Sequence, residues 1–135
     1  MKYMLAVFAG ILLLGIAAGV SSRVRARPAL AVDRIEHDFG RVRYGDVSQT
    51  TFKIRNVGNV PVLLSEIRTS CGCTKAEASQ AVIAASESST ISVSFDPAVH
   101  KDDSDLGDIE RTIYVKTNDP KHPELTFRIH ASVYK

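Results

Sequence analysis

From about residue 32 to the end of the chain, apolar and polar residues alternate in short runs bracketed by turn formers. Ile35, His37 and Phe39 alternate before Gly40, and Thr50, Phe52 and Ile54 alternate before Asn56-Val57-Gly58-Asn59, a cluster closed by Pro61. Val62 and Leu64 follow. Ile91, Val93 and Phe95 stop at Asp96-Pro97, and Ile113, Val115 and Thr117 stop at Asn118-Asp119-Pro120. Leu125, Phe127, Ile129, Ala131 and Val133 run to the C-terminus. A period of two places successive side chains on opposite faces of a strand, so each run has one face to bury. The enrichment in β-branched and aromatic residues agrees with strands. Six or seven such strands in the 104 residues from 32 onward predict an all-β domain of two antiparallel sheets packed face to face. Only Lys75 to Ala85, with its five alanines, has the composition for a helical turn.

The first 31 residues are of another kind. Met4 to Val20 reads MLAVFAGILLLGIAAGV, 17 residues without a charge. The run is apolar all round, whereas a helix on the surface of a soluble domain needs a polar face. Residues 1–31 are therefore expected to be a signal peptide or membrane anchor, formed by a hydrophobic helix, plus a linker. Candidate cleavage points follow Gly19, Ser22 and Ala31. Arg23, Arg25 and Arg27 complicate each of them, and positive-inside counting for an uncut anchor slightly favours a cytoplasmic domain. The signal-peptide pattern outweighs this and predicts export, to the periplasm or the outer face of the cytoplasmic membrane. Removing Lys2, Arg23, Arg25 and Arg27 from the 17 basic residues leaves 13 Lys+Arg against 15 Asp+Glu, so the domain itself carries a charge near −2. No concentrated basic face results, which argues against a nucleic-acid partner.

Both cysteines lie in Ser70-Cys71-Gly72-Cys73-Thr74, the candidate site. In an extended strand, Cys71 and Cys73 share a face with Cβ atoms ~6–7 Å apart. A disulfide needs ~3.5–4.5 Å, so the bond requires the chain to turn at Gly72. A three-residue ring would contribute only ~1.6 kcal/mol by the loop-entropy relation, which makes it a poor staple. Parity suggests which way the thiols face. Val62 and Leu64 set an even-numbered core face but Ile67 is odd, and a bulge near Glu66 would turn Thr69, Cys71 and Cys73 inward. Three uses stay open: small apolar packing, a redox couple or labile disulfide, and a soft-metal site for copper or zinc with Cys71 and Cys73 as ligands. The metal reading is the weakest, because none of His37, His100, His122 and His130 has ligand spacing to the cysteines or to another histidine.

Other motifs add little. The acidic stretch Asp102 to Asp108, DDSDLGD, matches no calcium-loop frame and reads as a solvated hairpin loop. The serines of Ser86 to Ser94 read as the outward face of a strand. No nucleophile-elbow, zinc-protease or phosphate-loop motif occurs, no cofactor is implied, and the chain is expected not to be an enzyme.

The stretches HDFGRVRYGD, FKIRNVGNVPVLLSEIRTSCGCT, ISVSFDP and VKTNDP resemble, in order and spacing, a bacterial exported family known as domain of unknown function 1573. That family is similar to the Hydin-type (ASH) immunoglobulin-like domains of the PapD-like group. The resemblance covers residues 32 to 134 and implies an immunoglobulin-like sandwich of about seven strands over 32–135. It implies no established catalysis, and a binding or scaffolding task with unidentified protein partners in the cell envelope. The chain departs from the family in two places. Ala85-Ser86 replaces the usual Pro-Gly turn, a change expected to cost little, and HKDDSDLGD replaces a short turn before the strand at residue 110.

Overall fold

The structure is a computed structural model and describes residues 24–135; the apolar leader with its expected helix, and the cleavage points after Gly19 and Ser22, lie outside the described residues. Among the described residues the chain forms nine strands and no helix. They are β1 (Leu30–Val32), β2 (Glu36–Arg43), β3 (Ser48–Asn56), β4 (Val62–Thr69), β5 (Thr74–Ala78), β6 (Val82–Ile83), β7 (Ser88–Phe95), β8 (Gly107–Thr117) and β9 (Glu124–Tyr134). One sheet has the order β1-β3-β7-β5 and the other β2-β9-β8-β4-β6. Every connection except the β8–β9 hairpin carries the chain from one sheet to the other.

The inward positions are those of the alternation. Phe52 and Ile54 of β3, Ile91, Val93 and Phe95 of β7, Ile113 and Val115 of β8, and Phe127 and Ile129 of β9 are all buried. Each stabilises the fold by about 1.5–3 kcal/mol through burial alone. Phe52 and Phe127 meet across the two layers with ring centroids 4.8 Å apart. The outward face of the five-stranded sheet is laced with pairs such as Arg68–Glu124 and Arg128–Glu36.

The architecture differs from expectation in three respects. Nine strands replace about seven, because β1 and β6 are too short to show a period. One pairing is not antiparallel: β2 runs parallel to β9, from Glu36↔Arg128 to Arg43↔Tyr134. Because β2 enters from the other sheet and not through a hairpin with β9, nothing forces the two to run in opposite directions. Finally, Lys75 to Ala85 holds no helical turn. Residues 74–78 pair with β7 from Thr74↔Phe95 to Ala78↔Ile91, with Ala76 and Ala78 inward and Lys75 and Glu77 outward. Ladder bonds and a covered inner face outweigh the helix propensity of alanine, which is a weak prior.

At the end of the sandwich where β1 begins, the chain before β1 is clasped to the β3–β4 connection. Val57 and Asn59 amides donate to the carbonyls of Ala29 and Arg27 at 2.9 and 3.1 Å. The Asn59 side chain accepts from Arg27 N at 2.7 Å and donates to Arg25 O at 3.0 Å. Gly58 is required by this approach, since a Cβ there would collide with the backbone of Arg27 and Ala29. The buried Asp119 accepts from Leu30 N at 3.1 Å and sits 2.9 Å from His122 Nδ1. Burial pushes its carboxyl upward, but hydrogen bonds from His122 and from the Lys121 and Leu30 amides outweigh burial and hold it below the usual carboxylate range.

The Ala85-Ser86 departure carries a cost. Ser86 has φ 69°, the left-handed region that favours glycine. Ser86→Gly is therefore expected to stabilise the domain by roughly 0.5 kcal/mol, the relieved steric cost being partly offset by glycine's freedom in the unfolded chain. Gly58→Ala is expected to lose about 1–3 kcal/mol. Paired thermal melts check both, and an unchanged Tm in Gly58→Ala would show that the 25–29 clasp contributes nothing.

Candidate functional site: the Cys71–Cys73 corner

The site is made by a parity switch. The β4–β8 register shifts between Leu64 and Glu66. The bulge moves the inward face from Val62 and Leu64 onto Ile67, Thr69, Cys71 and Cys73, as the parity argument anticipated. Beyond Thr69 the chain leaves the five-stranded sheet and enters β5 of the other, so SCGCT is an inter-sheet corner. Ser70 holds the corner to β8: its amide donates to Thr112 O at 2.9 Å, and its hydroxyl accepts from Thr112 N at 2.9 Å. The Thr69 hydroxyl lies 3.0 Å from Cys71 O and 2.9 Å from Thr74 O. The buried Thr74 opens β5 and donates its amide to Cys71 O at 3.2 Å, closing a turn.

That turn brings the cysteines together. Cys71 and Cys73 form a disulfide with Cα atoms 5.2 Å apart, closer than the ~6.6 Å of two residues in an extended strand. Gly72 does not use a glycine-only conformation, and a Cβ added there would meet just His100 Nε2, at an ordinary 3.7 Å. Cys73 is buried and Cys71 half-buried.

Charged groups surround the pair. Arg111 Nε donates to Cys73 Sγ at 3.1 Å, and the Cys73 amide donates to Cys71 Sγ at 3.0 Å. The Arg111 guanidinium also reaches Asp105 Oδ1, and His100 Nδ1 lies 2.9 Å from Asp105 Oδ2. Asp105 is only 1% exposed, so the expectation of a wholly solvated acidic loop is corrected at this residue. A carboxylate can be buried here because both oxygens are paired. Lys101, directly after His100, has φ 60°, a left-handed conformation unusual for lysine. The histidine spacing argument is corrected as well. The 96–106 connection folds back over the corner, and ligand atoms of Cys71, His100 and Asp105 lie within 4.8 Å of one another. His37, His122 and His130 are elsewhere: His37 stacks edge-on with Phe39, His122 binds Asp119, and His130 faces Glu110.

His100, Asp105 and Arg111 are the residues that periodicity did not reveal. Arg111 left a signal, since it interrupts the inward odd-numbered stripe of Ile109, Ile113 and Val115 on β8. The two loop residues left none.

Next to the corner, the outer face of the four-stranded sheet has an open trough of about 560 Å³, where polar side chains such as Gln49, Thr51, Lys75 and Ser94 stand among apolar surface that includes Ala76 and Val93. The trough ends at β5, whose outer edge has no neighbouring strand among the described residues. At the opposite edge β1 covers only the end of β3. There Asp33 Oδ1 accepts from Lys53 N at 2.9 Å, and Arg34 donates to Thr51 O at 2.6 Å. Side chains thus cap the exposed stretch of β3.

A two-sheet sandwich with a cysteine-pair corner defines the class. The chain belongs to the family described as protein of unknown function (DUF1573), which matches residues 30–133. No curated protein matches it. Among solved structures it is similar to a protein of unknown function from Porphyromonas gingivalis W83, at 23% identity and a TM-score of 0.71, covering 84% of this chain and 51% of that one. The chain thus spans about half the length of that protein. It is also similar to the ASH/PapD-like domain 7 of human CEP192, at 13% identity and a TM-score of 0.60, covering 78% and 85% of the two chains. A third similarity is to the Vibrio cholerae VesB protease, at 15% identity and a TM-score of 0.60, covering 76% of this chain and 31% of the protease. These likenesses are of fold.

The corner has hydrogen bonds of its own besides the disulfide. Cys71→Ser/Cys73→Ser is expected to fold and to lose no more than about 1.6 kcal/mol, the entropy of so small a ring. Urea titration against the oxidised protein measures it, and a loss above about 3 kcal/mol would show that the corner depends on the bond.

Proposed function

We propose that this chain is an exported, non-catalytic cell-envelope protein whose immunoglobulin-like sandwich is a binding or scaffolding module. Its contact surface is the end of the sandwich that carries the Cys71–Cys73 corner. The open outer edge of β5, flanked by the trough, carries this reading. The edge offers backbone donors and acceptors to an added strand, and the trough offers hydroxyl and amide groups to its side chains. The partner is then an extended protein segment. Export rests on the apolar stretch Met4 to Val20. A cut after Ala31 would remove two of the three residues of β1, including the buried Leu30, so processing upstream of the 25–29 clasp fits the fold better.

A second reading, thiol redox through Cys71 and Cys73, is favoured by one specific observation: Arg111 Nε against Cys73 Sγ. Two thiolates with His100 would also suit a soft metal, but the arginine at one of the sulfurs opposes a bound cation.

The binding reading is tested in the native envelope with photo-crosslinking residues placed at Lys75, at Val99 beside the corner, and at Lys121 on the opposite end. Adducts with a common protein are expected at positions 75 and 99 and not at 121. Equal labelling at all three, or labelling at 121 alone, would reject the assignment. Mass spectrometry of the recovered protein also reads its N-terminus.

A further inference from the structure

The half-buried Cys71, the buried Cys73 and the charges around them differ in what they can do when the sulfur–sulfur bond opens. We infer that Cys71–Cys73 is an electron-accepting disulfide that oxidises a dithiol. In this assignment Cys71 is the attacked sulfur, Cys73 the leaving sulfur, Arg111 the group that receives the leaving charge, and His100 the proton carrier. The inference rests on the thiol-redox reading above and adds to it the direction of electron flow and the role of each group.

Accessibility selects the attacked sulfur. Cys73 is 2% exposed, whereas Cys71 lies at the surface of the corner beside the exposed Gly72. An incoming sulfur therefore meets Cys71. The opposite sulfur is the one aligned with a permanent cation, Arg111 Nε at 3.1 Å. The guanidinium is held there by Asp105, a positioning residue whose second oxygen meets His100 Nδ1 at 2.9 Å. With Nδ1 turned toward a carboxylate, His100 keeps Nε2 free above Gly72.

The exchange balances as follows. A substrate thiol gives its proton to His100 Nε2, and its sulfur bonds to Cys71 Sγ. The Cys71–Cys73 bond breaks, and its electron pair stays on Cys73 Sγ as a thiolate facing Arg111. The second substrate thiol releases its proton to solvent and attacks the first substrate sulfur. Cys71 Sγ leaves and takes the proton from His100. The dithiol is oxidised to a disulfide, Cys71–Cys73 is reduced to one thiol and one thiolate, and one proton reaches solvent. A stabilised reduced form makes a disulfide a stronger oxidant. The partner has two thiols within reach of each other, because its second thiol then resolves the mixed disulfide intramolecularly, ahead of a second thiol molecule or of return attack by Cys73.

The test equilibrates the full chain with glutathione or dithiothreitol buffers, quenches with acid, and reads cysteine states by mass-tagged alkylation. Dithiothreitol is expected to reduce the folded protein completely, and glutathione to leave a mixed disulfide on Cys71. Arg111→Gln is expected to shift the thiol–disulfide equilibrium about tenfold toward the disulfide, which is ~30 mV for a two-electron couple. Arg111→Lys is expected to recover most of that shift. Should the arginine variants misfold, His100→Gln at an exposed side chain supplies the second readout: exchange at least tenfold slower with the equilibrium unchanged. A folded protein that resists dithiothreitol sinks both the redox reading and this assignment. Exchange that proceeds with Arg111→Gln at the wild-type equilibrium, or with the mixed disulfide on Cys73, overturns the assignment and leaves the redox reading standing. Stoichiometric Zn²⁺ capture by the reduced protein that blocks exchange overturns it in favour of a metal site.

Discussion

Phe52 from the four-stranded sheet and Phe127 from the five-stranded sheet lie against each other in the middle of the sandwich, both fully buried. That contact forces the registers around it. Phe52 pairs with Ile91 on β7, and Phe127 pairs with Ile113 on β8, so the two ladders put four large inward side chains at one level. Because the side-chain period is two, a one-residue slip in either ladder would send an aromatic ring to solvent. The inward parity of β3, β7, β8 and β9 is set at this level.

The corner is where this constraint is broken on purpose. A regular β4 would have carried the parity of Val62 and Leu64 to its end and turned Cys71 and Cys73 outward. The shift at Leu64/Glu66 reverses that and brings the thiols over the inner layer, next to the inward position of Arg111 on β8. An arginine in that stripe would ordinarily be costly. Here it lies at the rim, its guanidinium engaged by Asp105 and by a sulfur. Among the described residues no buried side-chain nitrogen or oxygen lacks a partner, so the polar cluster is held without an unsatisfied group.

How much of this was legible depended on whether it had a period. β3, β7, β8 and β9 announced themselves through runs of alternating residues, and the mismatch between Leu64 and Ile67 was enough to place the bulge. β1 and β6 were too short to alternate. β5 was hidden because alanine is as good at lining a tight inner layer as at forming a helix. Arg111 interrupts an apolar stripe, but alternation alone does not tie that charge to the cysteines. The approach of His100 and Asp105 depends on the path of the 96–106 connection, which follows no repeat and is set by local bonds such as Lys101 N to Ala98 O at 3.1 Å.

The two ends of the sandwich are built differently. One end clasps residues 25–29 with backbone bonds, a glycine that admits no Cβ and a buried carboxylate. The Cys71–Cys73 corner lies toward the other end, about 26 Å away by the eight residue steps of β3 between the Leu30↔Asn56 pair and the level where Ser48 and Thr74 both pair with Phe95. Thr74 joins the corner to the start of β5, because the residue that opens β5 also donates its amide to Cys71 O. A strand added to β5 would begin beside the disulfide, placing its own side chains next to Cys71. Binding along the edge and chemistry at the corner are thus compatible uses of one surface, and the edge would supply the orientation that a bare cysteine pair lacks.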